Sequence, residues 1–382
     1  MAGPARQKRA GPLRSGTDEM TQISDMRPDG QDGAGGLAGK SGVLPRQDIR
    51  ALVARGMVRS PLAELRDSQF QPASLDLRLG ARAFRVRASF LPGPQRTVEQ
   101  ALADLTQDEV SLTEGAILEK NCVYVVELLE SLEGLPATIS AFANPKSSTG
   151  RLDVFTRLIA DRAEAFDTVP GGYTGRLYAE ISPSSFSIRV RMGTRLNQLR
   201  FRRRTSSQDQ AVGFRISDRE LRELHARVPL VDGPASIRNG LLFSVHLAGA
   251  AGEIVGYQAQ RFTDVIDLDR IGHYAVDDFW IPILARPNRR LILDPHQFYI
   301  LASRERLHIP AGYAAEMAPI DPTMGEFRVH YAGFFDPGFG AGTGGVPSGT
   351  RSLSETDSRC STTCSRSSAQ RCVRFSGSGS QA

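Results

Sequence analysis

Two short stretches carry most of the side chains able to do chemistry. Lys146-Ser147-Ser148-Thr149-Gly150-Arg151 sets hydroxyls between two cations within six residues, and Glu180 stands five residues after Gly175 in the loosely alternating run Arg176-Leu177-Tyr178-Ala179-Glu180-Ile181. A carboxylate can shuttle protons, a hydroxyl can orient a water, and a guanidinium can hold fixed positive charge beside developing negative charge. Each residue also has a plainer reading. A Ser-Ser-Thr-Gly stretch is commonly a turn, a lone Glu on a strand faces solvent, and Arg151 is half of a surface ion pair.

Several other chemistries are excluded by spacing. All six histidines (His225, His246, His273, His296, His308 and His330) lie beyond residue 220. Neither a His-x-Glu nor a Pro-Cys-x-x-Cys pair exists, which removes the usual zinc-dependent nucleobase chemistry. Any hydrolysis in the first half therefore runs without protein-bound zinc. Cys360, Cys364 and Cys372 match no zinc module, and the Gly-rich approach to Gly39-Lys40-Ser41 misses the phosphate-loop spacing by one residue with no strand before it. No metal ligand set is assigned.

The elements that must position these groups read as many short strands. Leu44 to Gly56 has helical spacing at Ile49, Leu52 and Val53 and a stopping Gly. Beyond it Ser74 to Leu79 alternates strictly, Val123 to Val126 more loosely, and Gly or Pro interrupts at short intervals, a pattern of sandwich or barrel rather than a wound α/β sheet. Arg202-Arg203-Arg204, a polar stretch and a capped helix from Ser217 to Val228 then make a connection. Strand signals resume to about residue 340 and echo the first half: Leu135-Pro136-Ala137 matches Ile309-Pro310-Ala311, Pro145 falls on Pro319 at the same offset, and Phe166-Asp167 matches Phe335-Asp336. The organisation expected is a leader at 1–40, a first β unit at 41–205, a helical linker at 206–235, a second β unit at 236–340 and a tail at 341–382.

The 382 residues carry a net charge of +5, but the two ends hold eleven of the 47 basic and seven of the 42 acidic side chains, leaving a nearly neutral body. Such a body has no footprint for a phosphate backbone, and nucleic acid is not an expected partner. No apolar stretch approaches the length that crosses a bilayer, so no membrane is expected. The leader, rich in Gly and poor in large apolar residues, reads as disordered, and Met20 or Met26 is an alternative start. Without an apolar signal segment the expected setting is a reducing cytoplasm. The tail, rich in Ser and holding three of the four cysteines, reads as disordered too. The chain's preference for Arg over Lys makes a frameshift near Gly340 one reading of the tail, a natural disordered tail the other.

Three stretches taken together, Gln71-Pro72-Ala73-Ser74-Leu75-Asp76-Leu77-Arg78-Leu79-Gly80, the loop from Asn144 to Leu152, and Gly175 to Glu180, resemble the dCTP deaminases of the trimeric dUTPase superfamily. The resemblance covers residues 44 to 201 and, more weakly, a second copy to 340, as in the long deaminase form with duplicated domains. It implies an all-β fold of two tandem dUTPase-like (β-clip) distorted barrels with short helices, a homotrimer, and metal-free deamination of dCTP to dUTP. Under it Glu180 is the base and proton shuttle. Ser147 and Arg151 position the water and the pyrimidine edge, and Lys146 and Ser148 hold phosphates bridged by Mg2+. Asp167 orients the sugar hydroxyl, Tyr173 packs on the deoxyribose or is a core aromatic, and Gln198 lies near phosphate. Lys146 stands where the family often has Arg, and Phe166-Asp167-Thr168-Val169-Pro170-Gly171 departs from the family's Ile-Asp-Pro-Gly. In the second copy Ile320-Asp321-Pro322 replaces the reactive loop, Gly325 stands opposite Arg151, and no Glu matches Glu180, so that unit is expected to be non-catalytic. The rivals are a dUTPase or bifunctional enzyme, and a nucleotide-sensing module without catalysis.

Overall fold

The alternating runs become strands wherever both of their faces find cover. In the computed structural model the described residues are 41–205, 215–294, 296–318, 334–341, 361–364 and 370–377. The leader, the polar part of the linker, the second-copy segment containing Ile320, Asp321, Pro322 and Gly325, and Cys360 lie outside them.

In the first copy, helix α1 (Arg46–Ala54) buries Ile49 and Leu52, while Val53, the third residue its spacing selects, is half-buried. Two strands follow, β1 (Leu75–Leu77) and β2 (Leu79–Val86), so the strictly alternating segment bends at Arg78 into two sheets. Helix α2 (Val98–Leu105) is closed by Thr97, whose hydroxyl accepts from the Gln100 N–H while the Gln100 side chain returns to the Thr97 N–H, a reciprocal cap. Then come β3 (Val123–Leu132), β4 (Ile139–Pro145), α3 (Ser147–Arg151), β5 (Val154–Ala160), β6 (Gly175–Pro183) and β7 (Asn197–Arg203).

These strands form two antiparallel layers. In one sheet β2, β3, β6 and β5 are neighbours in that order; in the other β7 is paired by both β4 and β1. The central β3 and β6 are buried along nearly their whole length, as strands covered on both faces must be. On the outer face of the first sheet Val86, Val125, Ile159 and Tyr178 pack against Val98 and Leu102 of α2.

The link runs through α4 (Asp218–Arg227), with Ser217 and Glu220 as its capping box. The second copy is again strands, among them β8 (Leu241–Ser244), β9 (Ile254–Ala259), β10 (Tyr299–Ala302) and β11 (Tyr313–Ala318). Two tail segments depart from the expectation of a tail without regular structure. Ser361–Cys364 pairs with β10, and Gln370–Gly377 lies between β8 and β11, filling otherwise open sheet edges.

The copies are bound to each other by buried charge. Arg200 of β7 is 1 % exposed; it donates to Asp336 at 3.2 Å and to the Ala315 carbonyl at 3.2 Å, with its guanidinium 3.8 Å from the Phe334 ring centroid. Burial pulls Arg200 down to about 10 and pushes Asp336 up, each countered by the other. Arg202, two residues on and therefore on the same face, reaches Glu316 at 3.1 Å. Ile266–Asp267 also adds a parallel strand to Ile188–Val190 of the first copy.

Arg78, at the bend between β1 and β2, pins the first copy together. Glu130 of β3, fully buried, accepts from Arg78 Nε at 2.7 Å, from the Arg78 backbone N–H at 2.8 Å and from Gln69 Nε2 at 2.9 Å. Replacing Glu130 by Ala leaves a buried guanidinium without its counter-charge. The predicted loss is about 3–5 kcal/mol in urea unfolding; a loss under about 1 kcal/mol would show that water enters and solvates Arg78.

Candidate active site

Antiparallel pairing of β5 with β6 places Arg157 directly opposite Glu180. Opposite residues share a face, and this is the outer face that α2 covers farther along the sheet. Glu180 is 1 % exposed. Its Oε1 accepts from Arg157 Nε at 3.1 Å and Nη2 at 2.6 Å, while Oε2 is buried with no hydrogen-bond partner among the described residues. Across the other edge of β6, Glu180 faces the apolar Val125. The outcome is a carboxylate held by one oxygen, with the other aimed at no protein donor.

Asp167 completes this cluster. It is in the left-handed region (φ 60), which Asp tolerates better than most residues, and its carbonyl accepts from Ala143 N–H. Its Oδ1 accepts from Leu158 N–H at 2.7 Å. Burial pushes the carboxyl up to about 7, opposed by the Leu158 hydrogen bond and Arg157 and assisted by the negative charge of Glu180. Tyr173 is committed elsewhere. Its hydroxyl donates to the Arg176 carbonyl at 2.6 Å and accepts from Asp161 N–H at 3.0 Å, and burial raises the phenol.

The Lys146 to Arg151 segment occupies a different place. It is a single helical turn, α3, with Lys146 N–H and the Thr149 hydroxyl both bonded to the Leu196 carbonyl. Lys146 pairs with the buried Asp76, which also receives Gln71 at 3.4 Å and lies 3.6 Å from Arg195. Gln198, opposite both Asp76 and Asn144, accepts from Ser74 at 3.1 Å and donates to the Pro145 carbonyl at 3.5 Å. Lys146 and Ser148 open onto a cleft of about 900 Å³ also lined by Arg66, Arg78 and Arg195. Cations and hydroxyls in that density suit a polyanion.

Within one chain, then, the expected residues fall into two groups. Lys146 and Ser148 line the basic cleft; Gln198 does not, but is bonded to the carbonyl of Pro145, next to Lys146. Glu180 and Asp167 belong with Arg157, and none of these three lines the cleft. Ser147 and Arg151 are exposed on α3, which precedes β5 at the Pro183 end of β6. Glu180 lies three residues from Pro183, roughly 10 Å along the strand. Arg157, Arg66 and Arg195 escaped sequence reasoning, because their partners are adjacent across strands or loops and no sequence spacing marks them. Among the described residues no group of three His, Cys, Asp or Glu is placed to hold a metal, and no helix is long and apolar enough to cross a membrane.

The raised Asp167 carboxyl makes a signed prediction. With a folded value near 7 and an ordinary value of 3.8, the folded state keeps a proton that the unfolded chain releases between about pH 4 and 7. Stability is therefore lost as pH rises through that window. Asp167→Asn has no such proton, so the melting temperature of the wild type should fall relative to this variant between pH 5 and 8; parallel curves would rule out a buried titrating Asp167.

Comparison with known proteins matches this geometry to one family. The model of the 2'-deoxycytidine 5'-triphosphate deaminase N-terminal domain matches residues 40–205, and that of the C-terminal domain matches 217–362. A dCTP deaminase of Halorubrum lacusprofundi is 28% identical over 201 residues, covering 52% of this chain and 91% of the relative. A "dCTP deaminase, dUMP-forming" of Halobacterium salinarum is 29% identical over 174 residues, covering 45% of this chain and 85% of the relative. The crystal structure of 2'-deoxycytidine 5'-triphosphate deaminase from Agrobacterium tumefaciens aligns with a TM-score of 0.78 and 45% identity, over 88% of this chain and 98% of that one. With both copies matched and a solved relative covered almost end to end, the chain belongs to the 2'-deoxycytidine 5'-triphosphate deaminase family.

Proposed function

We propose that this protein hydrolyses dCTP to dUTP and ammonia. The observation that carries the reading is Glu180 Oε2: a buried carboxylate oxygen with no hydrogen-bond partner among the described residues, on a side chain fixed through its other oxygen. Water adds to C4 of cytosine, forming the C–O bond, and its first proton passes to Oε2 and on to ring N3. The second proton, from the new C4 hydroxyl, passes through the same oxygen to the amine as C4=O forms and the C4–N bond breaks, and ammonia leaves with the carboxylate restored. Two protons are moved and no redox partner is needed.

Ser147 and Arg151 are proposed to orient the water and to set positive charge beside the oxygen that forms on C4. Exposed on α3, they suit contact with the Glu180 cluster of an adjoining copy, which supports a homotrimer. Lys146, Ser148 and Gln198, with Arg66 and Arg195, take the triphosphate. Mg2+ enters with that triphosphate as part of the substrate, and the buried, unpartnered Oδ1 of Asp76 suits contact with the ion or its water shell. A cytoplasmic setting completes the proposal and accords with Cys122, a free thiol that accepts from Arg85 at 3.1 Å.

A second reading, in which pyrophosphate is also removed, is favoured by the dUMP-forming names of two relatives. Ammonia and pyrophosphate assayed separately after incubation with dCTP and Mg2+ distinguish the two. Ammonia without pyrophosphate is predicted here; neither product would leave a binding module. Glu180→Gln should lower ammonia release by about 10² to 10⁴-fold while dCTP still binds, and turnover within a few-fold of wild type would remove Glu180 from the mechanism.

A further inference from the structure

We infer that Arg157 is a positioning residue for deamination, one that occupies Oε1 of Glu180 and so leaves Oε2 as the atom that receives the proton. The inference rests on the reading of Glu180 as the shuttle and goes beyond it, because it names what makes the two carboxylate oxygens unequal.

Arg157 is itself held on every side. Nε and Nη2 both donate to Glu180 Oε1, and Nη2 also donates to Ser89 Oγ at 2.7 Å. The guanidinium carbon lies 3.5 Å from the Phe166 ring centroid and 4.8 Å from that of Phe155. A cation held against aromatic faces and hydrogen-bonded at its edge has one orientation, and it imposes one on its partner. Without it, a carboxylate at the end of a Glu side chain would rotate, and either oxygen could face the substrate. Rotation of this kind separates reacting atoms by about an ångström, enough to cost about 10²-fold in rate.

The charged groups facing Glu180 from the elements around it are Arg157 on β5 and Asp167 in the turn after it; β3 presents Val125. Arg157 sets the direction of the base without touching the reacting carbon.

Lysine keeps the charge but has one nitrogen on a flexible stem in place of a planar fork. Arg157→Gln and Arg157→Lys are compared for kcat, KM and dCTP binding, with melting temperature as the check on folding. For Arg157→Gln, kcat should fall by about 10²-fold with dCTP affinity within about three-fold. Arg157→Lys should recover only part of the lost rate, with dCTP affinity again unchanged. Glu180→Gln inactive and Arg157→Gln active within about three-fold would overturn the inference while sparing the deaminase reading. Should Arg157→Gln not fold, Arg157→Lys decides by itself: full kcat refutes the positioning role, and reduced kcat with dCTP affinity within about three-fold supports it. Turnover retained in Glu180→Gln removes the shuttle and this inference together, a result distinct from either.

Discussion

The account depends on one strand register. Glu180 lies opposite Arg157 on one side and Val125 on the other, so its carboxylate leaves water with one cation and one apolar neighbour. A one-residue slip of β6 against β5 would turn Glu180 to the opposite face, towards the second sheet, and separate it from Arg157. The register is fixed by what surrounds it: Tyr178 and Ile159 on the same face pack with α2, while Leu158 and Ala179 are buried on the other. Apolar packing thus holds a charge pair whose burial alone would not stabilise the fold.

The second half of the chain meets the first through strand surfaces. Arg200 and Arg202, both on one face of β7, are met by Asp336, the Ala315 carbonyl and Glu316. Asp336, in the Phe-Asp pair that matches Phe166-Asp167 in sequence, accepts from the guanidinium of Arg200, whereas Asp167 accepts from the Leu158 N–H. β7 also carries Gln198, bonded to the Pro145 carbonyl beside the cleft-lining Lys146.

Much of this was legible in the residue order, and the limits are physical. Alternation marked the strands around Ser74, Val123 and Arg176, and the Ser217 cap marked α4, because these signals are local. The strand carrying Glu180 was legible for the same reason. Arg157 was not: its partner is 23 residues away and becomes a neighbour only through pairing. Helix α2, capped by Thr97 and Gln100, was missed amid turn-rich sequence, and α3 read as a turn because five residues make only one turn of helix. The partners of the Tyr173 hydroxyl, the Asp161 N–H and the Arg176 carbonyl, are likewise brought to it by the fold and carry no mark in the sequence.

A structure of the Glu180→Gln protein soaked with dCTP and Mg2+ tests the central claim most directly. The account predicts the cytosine C4 within about 4 Å of the residue 180 side chain, at the distance one water or one hydrogen bond spans, with Arg157 still bonded to the oxygen that faces it. A cytosine bound away from β6, with Arg157 and residue 180 left undisturbed beneath solvent, would contradict it.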